Sequence, residues 1–130
     1  MTLTPNPVLK KLGLADDDRV AIIHTDDIGM CHASVEAFVD LNEVGIISSG
    51  AVMVPCPWFL QTAEYMRQQL MVDLGVHLTL TSEWKTYRWG PVSTRDSASG
   101  MVDEQGYFHH TSAAAQEQGD PAAVEVELST

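Results

Sequence analysis

The sequence predicts an α/β fold assembled from parallel β/α units, either doubly wound or barrel-like. Three observations predict it: short uninterrupted apolar runs at 19–24, 46–54 and 74–80, stretches of helical spacing between them, and a hydrophobic content of 45%. Buried strands alternating with helices imply right-handed crossovers and a parallel sheet. In such sheets the active site lies beyond the C-terminal ends of the strands. The 130 residues have the size of one domain, so positions 1–130 are expected to form a single α/β unit.

After a polar lead-in, Arg19-Val-Ala-Ile-Ile-His24 is the expected first strand, because an unbroken apolar run suits a strand covered on both faces. From Ser34, the residues Val35, Phe38, Val39, Leu41 and Asn42 lay down a helical stripe. Gly45 follows where a helix C-terminus takes a left-handed residue. The second strand is expected from Ile46 to Val54, and Pro55 and Pro57 break it. Trp58, Phe59, Thr62, Ala63, Met66 and Leu70 then recur at helical spacing, and Leu74 to Leu80 forms the third strand.

The segment 81–119 is rich in Ser, Thr, Gly and aromatic residues and exceeds the length of a passive connection, so it is expected to be a functional, substrate-facing loop. Asp120-Pro121 then has the character of an N-cap and first-turn pair, with Val124 and Leu128 four apart. The sequence stops at Thr130, soon after that helix begins. The expectation is a helix cut short and a sheet to which a longer chain adds strands.

Seven Lys and Arg against eighteen Asp and Glu leave a net charge of −11, which repels a phosphate backbone or an anionic membrane surface. Neither nucleic acid nor membrane is an expected partner, and homo-oligomer formation is left open. MTLTPNPVLKKLGL lacks a long apolar core and a small-residue cleavage site, and no run approaches a spanning length of about 18 residues. Cys31 and Cys56 are too few for a disulfide framework and belong to no CxxC pair. They read as reduced packing residues in a cytoplasmic protein.

His24-Thr-Asp-Asp-Ile-Gly29 sets two adjacent carboxylates where the first strand ends. Like charges so placed call for compensation, and a divalent cation is the natural one. Neighbours on an extended chain point to opposite sides, so one Asp can ligate metal while the other handles protons. His77 is the one polar ring in Leu74-Gly-Val-His-Leu-Thr-Leu80. Alone it would be a hydrogen-bonded core residue. At the same sheet mouth as Asp26 and Asp27 it contributes to a His-and-Asp ligand mix suited to Zn²⁺ or a similar ion, which still needs a further member. Trp84, Tyr87 and Trp89 suit stacking on a ligand and walling off the pocket, although packing over the sheet mouth explains them almost as well.

His24-Thr-Asp-Asp-Ile-Gly-Met, Asn42-Glu-Val-Gly-Ile-Ile-Ser-Ser, Met53-Val-Pro and Leu74-Gly-Val-His-Leu-Thr-Leu-Thr resemble, in order and spacing, the YdjC-like carbohydrate deacetylases. The resemblance covers about Val20 to Phe108. Glu83-Trp, Tyr87-Arg-Trp-Gly-Pro-Val-Ser93 and Val102-Asp-Glu-Gln-Gly-Tyr-Phe108 look like a subgroup of that family. The resemblance implies the N-terminal portion of a (β/α) barrel-like deacetylase, incomplete in this chain, that hydrolyses acetamides of N-acetylated sugars or oligosaccharides. It implies Asp27 and His77 as ligands of one divalent ion and Asp26 as the general base. Mg²⁺ is favoured by the family, and the mixed N and O ligands would accept Zn²⁺ or Mn²⁺. The resemblance also implies a further His ligand on a strand after the helix that begins near Asp120, and so beyond Thr130; His109 and His110 lie in a polar stretch that reads as flexible and does not match the family's later motif.

Three other readings bear on the same pattern. A receiver domain needs a phospho-accepting Asp near the end of its next central strand, and Ile46 to Val54 contains no acid. A non-catalytic truncated half-barrel would keep the fold and lose the chemistry. A metal-dependent hydrolase of another amide or ester bond would use the same residue types.

Overall fold

The computed structural model describes residues 6–69 and 72–130, so Leu70 of the second helical stripe lies outside the described residues. In chain order the elements are helix α1 (Pro7–Lys11), strand β1 (His24–Ile28), helix α2 (His32–Val44), strand β2 (Ser49–Val52), helix α3 (Phe59–Gln68), strand β3 (Leu74–Val76), helix α4 (Ser112–Gln118) and helix α5 (Pro121–Ser129). The short helix α1 falls in what the sequence shows only as a polar lead-in. Asn6 caps it by accepting from the Val8 N–H at 3.0 Å, and Pro7 opens its first turn.

The three strands form one parallel sheet in the order β1-β2-β3. The α/β class with a parallel sheet is therefore as expected. A three-strand sequential order is shared by an arc of a barrel and by one half of a doubly wound sheet.

All three strands are shorter than their apolar runs, and the first is displaced. Residues 20–23 are not strand: Val20 and Ile22 are 61% and 78% exposed. The reason lies in the neighbour. Helix α2 ends at Gly45, whose φ of 77° is left-handed, and the Ile46 N–H turns back to the Leu41 carbonyl at 3.1 Å. That Schellman-like closure takes the amide that Ile46 would have offered to a ladder. Pairing thus begins at His24 opposite Ser49, and Val20 to Ile22 have no strand beside them. β3 stops at Val76, although the His77 N–H still reaches the Val52 carbonyl at 2.9 Å.

One core cluster joins Ile28, Phe38 and Val52, with Phe59, Tyr65 and Leu74 packed around it. Gly50 sits at its centre, where an added Cβ would lie 2.6 Å from Ile28 Cδ1 and 3.1 Å from Phe38 Cε2. The glycine leaves room for the side chains of β1, α2 and β3 to converge there. Asn42 donates to the Tyr65 hydroxyl at 2.8 Å and ties α2 to α3.

The segment 81–119 departs most from its expected form. Instead of an open loop it contains a 3₁₀ turn at Ser97–Ser99, an antiparallel bridge between Val102 and Phe108, and helix α4. Trp89, Met101 and Phe108 pack with Met53 and Cys56 into a second core cluster. Those apolar residues are widely spaced in sequence and carry no period, so only their meeting in space reveals a core.

Arg88 is the polar hub of this segment, its side chain only 6% exposed. It donates to Asp103 Oδ2 at 2.8 Å, the Phe108 carbonyl at 2.7 Å, Ser82 Oγ at 3.2 Å and His110 Nε2 at 2.8 Å. Helix α5 begins as expected, with Asp120 accepting from the Ala123 N–H at 2.9 Å and Pro121 in the first turn. Buried Glu127 accepts from the Val92 and Ser93 N–H groups at 3.0 and 2.8 Å, which locks α5 to the segment before it. Among the described residues no helix is long and apolar enough to cross a membrane.

Candidate active site

The acidic pair stands at the C-terminal end of β1, where the register with β2 slips between Thr25 and Ile28. Asp27 has a φ of 59°, the one positive φ on a non-glycine residue among those described. Aspartate tolerates that left-handed geometry at a cost of about 1–2 kcal/mol, and such local strain clusters at functional sites. The twist turns the Asp27 carboxylate toward the third strand, with Oδ1 3.5 Å from His77 Nε2. Asp26 goes another way: its Oδ1 lies 3.0 Å from His24 Nε2, and His24 Nδ1 lies 2.8 Å from Ser49 Oγ. The two carboxylates thus have different neighbours, Asp27 beside His77 and Asp26 beside His24.

His77 is set by its own backbone, since its N–H continues the ladder to Val52 and its carbonyl accepts from Thr79 Oγ1 at 2.8 Å. Its Nδ1 is buried and has no hydrogen-bond partner among the described residues. The fit to a metal can be judged on the donors alone. Two ligands of a tetrahedral ion with bonds of about 2.1 Å stand about 3.4 Å apart, and the Asp27–His77 separation is 3.5 Å. The pair therefore suits two coordination positions. No group of three His, Cys, Asp or Glu side chains gathers to hold an ion among the described residues.

The surroundings are apolar and negative. Burial, and then the nearby carboxylates of Asp27 and Glu83, push the Cys56 thiol up to about 12. Cys56 is accordingly a packing residue rather than a nucleophile. Burial also raises the Tyr87 phenol, with smaller contributions from Cys56 and Cys31, and its hydroxyl donates to the Met30 carbonyl. Tyr87 thus fastens the 81–119 segment to the turn that follows the acidic pair.

The three aromatic residues expected to meet substrate do not share one role. Trp84, Tyr87 and Trp89 form a ladder with ring centroids 6.4 and 6.0 Å apart, running from solvent into the core. Trp84 is 54% exposed and can offer a face to a ligand. Trp89 is corrected: it is 4% exposed, belongs to the second core cluster, and spends its indole N–H on the Thr81 carbonyl at 2.8 Å. The reading of 109–110 as flexible is corrected as well, because His109 is buried and lies 2.9 Å from the Gly100 carbonyl while His110 meets Arg88. Both histidines are occupied within their own segment. The link from Asp26 through His24 to Ser49 was missed, though its signal was present: residues two apart on a strand share a face.

The family model described as YdjC-like protein matches residues 20–130. The chain belongs to the YdjC-like family. Among its relatives, a carbohydrate deacetylase from Thermus thermophilus is 38% identical over 121 residues, covering 93% of this chain and 40% of that protein. A carbohydrate deacetylase from Enterococcus faecalis is 33% identical over 92 residues, covering 70% of this chain and 34% of that protein. A crystal structure from Enterococcus faecalis, of a protein named for a conjectured role in cellobiose-phosphate cleavage, aligns with a TM-score of 0.70 at 29% identity. That alignment covers 83% of this chain and 40% of the solved one. The YdjC-like chain thus spans about two fifths of the length of the relatives it matches, and Asp26, Asp27 and His77 all fall inside the matched residues.

Proposed function

We propose that this chain carries the base and two metal ligands of a metal-dependent carbohydrate deacetylase that removes acetyl groups from N-acetylated sugars or oligosaccharides. The observation that carries the reading is the left-handed Asp27, which holds its carboxylate 3.5 Å from His77 and separates it from Asp26. The names of the relatives supply the bond class, carbohydrate deacetylation.

Asp27 and His77 would hold one divalent ion, with Mg²⁺, Zn²⁺ or Mn²⁺ matching their mixed O and N donors. When bound, such an ion supplies Lewis-acid polarisation of the acetamide carbonyl and acidifies water. Asp26 is the general base: it takes the proton from water as the water oxygen attacks the carbonyl carbon. The C–N bond then breaks, acetate leaves, and the sugar amine takes up a proton. Trp84 offers its exposed ring to a sugar face, and Tyr87 braces it from behind. The two free cysteines suit the reducing setting of the cytoplasm.

The test couples metal titration to acetate release from N-acetylglucosamine oligomers. Asp27→Asn and His77→Ala are expected to weaken metal binding. Asp26→Asn is expected to keep the metal and lose about 10²–10⁴-fold in turnover, the contribution of a general base. Metal binding without acetate release from the unaltered chain would favour the non-catalytic reading, and faster phosphate release from phosphate esters would favour a different bond. Unchanged metal affinity in both ligand variants would refute the site.

A further inference from the structure

We infer that His24, held in place by Ser49, is a positioning residue for Asp26. The inference rests on the reading of Asp26 as the base. It begins with register: His24 and Ser49 are cross-strand partners, which sets their side chains beside each other on adjacent strands. His24 and Asp26 are two apart on β1 and so share a face. One imidazole spans both, with Nδ1 2.8 Å from Ser49 Oγ and Nε2 3.0 Å from Asp26 Oδ1.

Donor accounting then orders the chain of bonds. An ionised carboxylate only accepts, and a neutral imidazole has one donating and one accepting nitrogen. In the neutral ring, Nε2–H donates to Asp26 and the bare Nδ1 accepts from the Ser49 hydroxyl. The need for such a device is plain from exposure. The Asp26 side chain is 63% exposed, and without a partner its carboxylate would rotate freely. With Oδ1 engaged by His24, Oδ2 is the oxygen that takes the proton from water.

The test reads the ring directly and does not depend on turnover. In the isotope-labelled full chain, the nitrogen shifts of His24 should show a protonated Nε2 and a bare Nδ1. Ser49→Ala should move the Nδ1 resonance, Asp26→Asn the Nε2 resonance, and His24→Ala the Asp26 carboxyl carbon. In acetate-release assays, Ser49→Ala should lower kcat about 10-fold with KM unchanged, the scale of a lost orienting contact. Ser49→Thr should restore it. Ring nitrogens averaged between tautomers and insensitive to both substitutions would overturn the inference. Intact ring coupling with full turnover in Asp26→Asn would instead retire the base assignment and leave the contact standing, so the two failures are distinct.

Discussion

Replacing Arg88 with Met tests whether the 81–119 segment is a folded unit. The Met side chain fills much of the arginine stem's volume and removes every donor, so packing changes little while four hydrogen bonds disappear. The three to uncharged acceptors are each worth about 1 kcal/mol net and the charge-assisted bond to Asp103 about 2 kcal/mol. Ordering an arginine side chain offsets about 2 kcal/mol of that, which leaves a loss of about 3 kcal/mol. Urea unfolding followed by tryptophan fluorescence should show the midpoint lowered by roughly 2 M at a slope of about 1.5 kcal/mol per M. Arg67→Met is the control. Arg67 and Glu64 make a bond of 2.9 Å, close to the 2.8 Å of the Arg88 pair, but both side chains are more than half exposed. Such a surface pair is screened by solvent and contributes little. A pH series gives a second check. Burial pushes the Asp103 carboxyl up, yet the Tyr107 N–H, the Arg88 guanidinium and the Gln105 N–H together outweigh it and hold the group below the ordinary range. A depressed folded value means that Asp103 stabilises above its unfolded pKa, about 3.9, and that this stabilisation fades as pH falls through the folded value. The gap between the unaltered chain and Asp103→Asn should therefore close in acid. An Arg88→Met loss no larger than that of Arg67→Met would refute the hub.

Two glycines with the same backbone hand should respond differently to alanine. At Gly100, φ is 65° and an added Cβ would fall 1.8 Å from the Gln118 carbonyl oxygen, so backbone must move and about 3 kcal/mol should be lost. At Gly45, φ is 77° but the space is open, and only the left-handed strain of about 1 kcal/mol remains. Thermal unfolding of both variants checks the order, and equal shifts would contradict it. Cysteine alkylation at pH 8 should modify Cys31 while sparing Cys56. A thiol pushed up to about 12 is ionised there in about one molecule in ten thousand. Equal labelling of the folded chain would show that Cys56 is not buried as described.

Features governed by residues near one another in the chain were legible in advance. Gly45 ends α2 in a left-handed turn, Asp120 and Pro121 open α5, and the helical stripe at Trp58 to Met66 becomes α3. Caps, turns and amphipathic periods are set within a few residues, so the chain order of strands and helices follows from them. Strand limits depend on a partner elsewhere in the chain. Val20 to Ile22 has the apolar content of a buried strand, but the ladder to β2 begins at His24 opposite Ser49, and that run stays outside the sheet.

The same division holds at the site. The sequence by itself determined which groups are available: two adjacent carboxylates after the first apolar run, a histidine fifty residues on in the third, and aromatic residues after it. The tertiary structure alone decided what each can do. It twisted Asp27 toward His77, gave Asp26 a neighbour in His24, left Trp84 exposed and buried Trp89. Residue type and spacing constrain chemistry and local conformation. Distance, exposure and hydrogen-bond partners depend on which distant segments the folded backbone brings together, and no local pattern encodes those.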